Sequence, residues 1–162
     1  MGYLMKYQGL PIPVLILLVL TLFVHFIATQ TPWGRHIYAI GGNKEAAFLS
    51  GVHVASKTLS TFVLMGLLAA ISAVILTARV GSASPDAGQL LELDAIAACV
   101  IGGTSLMGGK GSVFGAILGA LIMESLNNGM SLENMEPYWQ FIVKGVVLVA
   151  AVWADMVSQP ER

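Results

Sequence analysis

The chain has 162 residues, 56% hydrophobic and 10% charged, with a formal net charge of −1. A soluble domain carries roughly 25% charged residues, so this composition cannot build a water-facing surface, and lipid is the expected solvent for most of the chain. The near-zero charge leaves no electrostatic case for nucleic acid. A single cysteine, Cys99, excludes a disulfide within the chain and, inside an apolar run, is expected to be a small buried side chain.

About 20 mostly apolar residues are needed to cross a bilayer as a helix. The first such segment is residues 12–28 (IPVLILLVLTLFVHFIA). Lys6 gives it a weak basic start, but no small-x-small cleavage site follows and further membrane segments do, so it is read as a retained span rather than a signal peptide. The second segment, residues 59–78, carries no charge. The third, residues 93–107 (LDAIAACVIGGTSLM), is short and interrupted by Gly102 and Gly103. The fourth, residues 112–126, is apolar until Glu124, and the fifth, residues 138–154, holds Lys144 inside it. The fold class expected is an all-α polytopic membrane protein with about five transmembrane helices, one of them short or broken, in a single domain over 1–162.

Loop charges set the orientation. Arg35, Lys44 and Lys57, with His36 and His53, lie between the first two segments, and Lys110 lies between the third and fourth. The loop after the second segment holds Asp86, Glu92 and Asp94, with no basic residue beyond Arg79, and residues 127–137 hold two glutamates. Basic loops favour the cytoplasm, so the first segment enters from outside and the C-terminus is cytoplasmic. Lys6, outside, is a minor dissent.

The stretch GGTSLMGGKGS, residues 102–112, superficially resembles a phosphate-binding loop. The nucleotide motif G-x-x-x-x-G-K-[ST] fails at two positions: Thr104 replaces its first glycine, and Gly111 replaces the metal-binding hydroxyl. Spacing offers a better reading. Gly111, Gly115 and Gly119 recur every four residues and predict a face of minimal side chains for close helix packing. The glycines at 102, 103, 108 and 109 permit non-helical backbone at membrane depth, tolerated only when buried in protein or lining a watery cavity. A broken transport-path span and a short span ending in a turn are both compatible with this composition.

Ionisable groups inside a membrane segment are expensive. Lys144 is expected about two turns into the fifth segment and Glu124 about one turn from the outer end of the fourth, at similar depth if those helices are neighbours. An ion pair between them, or a lysine bonded to loop carbonyls, is one expectation; snorkelling of Lys144 to the headgroups is the other. The three histidines lack metal spacing: His25 is expected as a packed or interfacial side chain, His36 and His53 as loop residues. Tyr138 and Trp139, and Trp33, are expected as interfacial anchors. No constellation of acid, base and nucleophile is present, so an enzyme is not expected.

Three separated stretches, YAIGGNKEAAFLSGV, ELDAIAACVIGGTSLMGGKGSVFGAILGALIM and NNGMS…YWQFIVKGVVLVAAVW, together resemble the C-terminal half of a bacterial ABC sugar-import permease of the ribose and xylose type. Members of that family are about twice as long, with about ten membrane helices in two related halves. The resemblance implies a membrane-spanning subunit in the bacterial inner membrane that forms the path for a pentose or related monosaccharide. It implies three partners besides lipid: an ATPase subunit that hydrolyses ATP, a periplasmic sugar-binding protein and a second permease subunit, as in a homodimer. No cofactor or metal is expected in this chain. Residues 34–57 are the expected cytoplasmic coupling loop, with Gly41, Gly42, Asn43, Glu45, Ala46, Ala47 and Gly51 at the positions that dock on the ATPase. KEAAFLSG itself reads as a short helical run closed by Ser50-Gly51. Asp94, Thr104, Ser105, Asn127 and Asn128, polar residues read near the outer ends, are the candidates for the sugar path, since sugars require both donors and acceptors; helix capping or bonding to backbone is the alternative role. The length suggests a fragment or split subunit, so a truncated membrane protein with a structural or regulatory partner-binding role is the alternative.

Overall fold

A computed structural model of the protein describes residues 6–7, 10–82 and 88–158. Asp86, counted above in the acidic loop, lies outside the described residues. Two two-residue strands, β1 (Lys6–Tyr7) and β2 (Leu10–Pro11), pair antiparallel; the remaining regular structure is helical. Four helices are long and apolar enough to cross a membrane: α1 (Ile12–Gln30), α4 (Val54–Val80), α6 (Val113–Leu132) and α7 (Pro137–Ser158). A fifth, α5 (Leu91–Ile101), is the short segment expected between the second and fourth spans. Its 11 residues rise about 16 Å, half a hydrocarbon core. The structure is therefore an all-α polytopic membrane protein. The expectation of one domain over 1–162 meets a chain whose contacts divide into two compact units, Met1–Ala87 and Gly88–Arg162.

In the first unit, the region read as a connecting loop from residue 34 is largely helical: α2 (Pro32–Gly42) and α3 (Lys44–Leu49) follow α1 almost without pause. Thr31 caps α2, its hydroxyl accepting the Gly34 N–H at 3.4 Å, and Pro32 occupies the first turn, where its missing N–H costs nothing. Gly34 is buried because any side chain there would collide with the Ala28 carbonyl of α1. Trp33 is tied rather than simply anchored: its indole N–H donates to Ser60 Oγ of α4 at 2.7 Å. His36 lies half-buried within α2, and only His53, ahead of α4, is an exposed loop histidine. α4 spans 27 residues, and Gly81 closes it in the left-handed region (φ +72°).

In the second unit, α5, α6 and α7 pack around Ala97, Ala98 and Met123, with Ile101, Val147 and Leu148 against them. Ala97 and Met123 are 1% and 3% exposed. Gly115 and Gly119 form the expected close-packing face. A side chain on Gly115 would meet the Gly102 carbonyl, and one on Gly119 the Ala98 carbonyl. Gly111 does not belong to that face, correcting the expectation: α6 begins only after the cap Ser112, and Gly111 sits against Thr104 instead. Cys99, expected buried, is exposed on α5. The most apolar windows of α1, α4 and α7 bury none of their residues within the chain, leaving them for lipid or other helices.

Candidate functional site

Three side chains converge at one end of the second unit. Asp94 lies in the first turn of α5, Asn127 five residues before the end of α6, and Lys144 two turns into α7. Lys144 Nζ donates to Asp94 Oδ2 at 2.7 Å, and Asn127 Nδ2 donates to the same oxygen at 3.2 Å. The two charged side chains are only 13% and 14% exposed. Taking both charges out of water is expensive, and pairing offsets that cost only while both partners remain. The ion pair expected with Glu124 is thus corrected: Lys144 chooses Asp94, while Glu124 is exposed on α6. Glu124 stands three residues from Asn127 on the same helix, yet the acidic partner of Lys144 comes from α5. Two acceptors in the cluster, Asp94 Oδ1 and Asn127 Oδ1, are buried with no hydrogen-bond partner among the described residues. Each such group costs about 1–3 kcal/mol.

Of the five residues expected along a sugar path, the structure brings Asp94 and Asn127 together. Asn128 is exposed beside them. Thr104 and Ser105 stand beyond the opposite end of α5, in the glycine loop, and do not join the cluster. That loop is a built turn. Gly103, Gly108 and Gly109 take positive φ (82°, 91° and 75°), and the Ser105 N–H donates to the Lys110 carbonyl at 3.1 Å. Ser105 is buried, and its hydroxyl accepts the Met107 N–H at 3.2 Å. Asp155, near the end of α7, accepts the Leu106 N–H at 3.2 Å. Nothing local in the sequence marks Asp155, since its partner is a backbone group 49 residues away. The loop's glycines thus serve backbone turns and a helix contact.

At the docking segment, Gly41 and Gly42 end α2 and Asn43 serves two helices. Its N–H donates to the Ala39 carbonyl at 3.0 Å, and its Oδ1 accepts the Ala46 N–H at 2.9 Å. α3 is then closed by Ser50, with Gly51 in the left-handed region (φ +84°). Ala47 is buried, whereas Phe48 and Leu49 are 68% and 85% exposed. Lys44, Glu45, Phe48, Leu49 and Val54 line an open groove of about 490 Å³. Among the described residues, no group of three or more His, Cys, Asp or Glu is placed to hold a metal ion.

Fold and site together define a multi-pass membrane protein of bundled apolar helices. Residues 2–152 match the family described as branched-chain amino acid transport system / permease component, and the chain belongs to that family. It is 56% identical over 153 residues to the xylose transport system permease protein of Escherichia coli (strain K12), covering 94% of this chain and 39% of that protein. It is 47% identical over 147 residues to the ribose import permease protein of Haemophilus influenzae (91% of this chain, 46% of that one). It is 43% identical over 147 residues to the D-allose transport system permease protein of E. coli (91% and 45%). The chain therefore spans less than half the length of these curated relatives. No solved structure matches it.

Proposed function

We propose that the chain is part of the membrane-spanning permease of an ATP-driven carbohydrate importer, working on a pentose or related monosaccharide in the bacterial inner membrane. The observation that carries this reading is similarity over more than nine-tenths of the chain to permeases named for xylose, ribose and allose. The helices form one wall of the sugar's path and pair with a second permease subunit. A binding protein delivers sugar at the outer face, and an ATPase at the inner face hydrolyses the nucleotide. The C-terminus and the basic loops face the cytoplasm.

In this reading α3 is the coupling element, with docking residues Gly41, Gly42, Asn43, Glu45, Ala46, Ala47 and Gly51. Its geometry favours the role. A capped helix of six residues holds Phe48 and Leu49 out of the fold beside the charged Lys44 and Glu45. Exposed apolar surface rimmed by charged residues is the kind that marks a protein or membrane contact.

The test is a disulfide or bifunctional crosslink. In a Cys99→Ser background, Glu45→Cys is co-expressed with the ATPase of a xylose importer. A crosslink whose yield changes on adding ATP is the expected result. An unchanged background yield, equal to that of a cysteine at exposed Val74 of α4, overturns the docking role.

A further inference from the structure

We propose that Asp94, Asn127 and Lys144 form a binding site for a neutral polyhydroxyl ligand, and that its two open oxygens accept hydrogen bonds from the ligand's hydroxyls. The proposal rests on the carbohydrate-importer reading for the ligand class and goes beyond it in assigning the site. Three helices of one unit contribute one polar side chain each, amid an otherwise apolar interior. If the cluster served packing alone, its acceptors would be satisfied internally, as buried polar groups almost always are. Here Asp94 Oδ1 and Asn127 Oδ1 are buried and accept no hydrogen bond from the described residues.

The charge balance selects the ligand. Lys144 neutralises Asp94 across 2.7 Å, so a cation entering the site meets the ammonium and an anion meets the carboxylate. A neutral molecule meets neither penalty. The donors are matched as well. An ammonium has three N–H groups and an amide two, and each residue commits one to Asp94 Oδ2. The cluster therefore offers two open acceptors together with remaining donors. A vicinal diol, whose hydroxyls each donate and accept, fits that set. Both oxygens are closed to solvent in this conformation, so the ligand is admitted when the helices part, as a path opened alternately to each side requires.

The test is saturation binding of radiolabelled D-xylose to the full chain in lipid nanodiscs. The expected result is saturable binding, displaced by unlabelled D-xylose and indifferent to added potassium chloride. Asn127→Leu, which keeps the ion pair, weakens it by about tenfold or more, the cost of losing one or two hydrogen bonds. Asn128→Leu, next door and exposed, leaves it unchanged. Should Asn127→Leu fail to fold, the paired replacement Asp94→Leu with Lys144→Met removes both charges together and is expected to abolish binding. No binding by the wild-type chain, or equal binding by the wild type and the folded variant, overturns the site. The Glu45 crosslink reports separately: a crosslink without xylose binding sinks this site alone, and xylose binding without a crosslink sinks only the docking role.

Discussion

At the scale of single residues, the tightest constraint is on α6, where Gly119 faces the Ala98 carbonyl and the Gly102 amide of α5. A β-carbon there meets backbone, which cannot swing aside as a flexible side chain can. Gly119→Val is expected to lower stability by about 1–3 kcal/mol, the usual range for overpacking, read as a fall in thermal midpoint in detergent. Gly129, on the same helix, has open space where a side chain would go. Gly129→Ala is expected to be neutral or to stabilise by about 0.5–1 kcal/mol through helix propensity. If both variants melt together, close approach of α5 and α6 is not what keeps these glycines small. The four-residue spacing made the packing face legible in the sequence. Its opposing carbonyls were not, because they depend on where two helices cross. The partner of Lys144 escaped for the same reason: Glu124 and Asp94 are equally plausible acidic groups at similar depth until α5 is placed.

At the scale of elements, the long apolar helices are read directly from composition, because about 20 consecutive apolar residues have few other soluble uses. The short ones are harder. α2 reads as loop because it contains Gly34, Arg35, His36 and the pair Gly41-Gly42, all weak helix formers or polar. The signal that marks it is Thr31-Pro32, a cap followed by proline in the first turn. α3 was legible because its small helical run ends in Ser50-Gly51, but the double use of Asn43 was not. That residue is where the docking segment is most easily loosened. Asn43→Ala removes the side-chain cap of α3 and is expected to cost that helix about 1 kcal/mol. Hydrogen exchange at the amides of residues 46–50 should then quicken about fivefold, with α4 unaffected. Unchanged exchange would mean that contacts of Ala47, not the cap, hold α3.

At the scale of the whole molecule, orientation in the membrane decides which end of the second unit would meet the binding protein, and which the ATPase, in the proposed importer. α6 is 20 residues long, about 30 Å, so Lys110 just before it and Glu133 just after it stand a bilayer apart. The Asp94–Lys144 pair lies toward the Glu133 end, and the glycine loop with Asp155 toward the other. Basic residues favour the cytoplasm and acidic ones exert little pull, so within the second unit Lys110 argues for the glycine loop inside and the ion pair near the outer face. For the proposed importer that placement suits a sugar site, since its cargo would arrive from outside. In a Cys99→Ser background, Lys110→Cys and Glu133→Cys separate the alternatives. A membrane-impermeant maleimide should label Glu133→Cys in right-side-out vesicles and Lys110→Cys only in inverted ones. The reverse pattern would put the polar cluster at the cytoplasmic end, where it would face the ATPase side and act on sugar leaving the path instead of entering it.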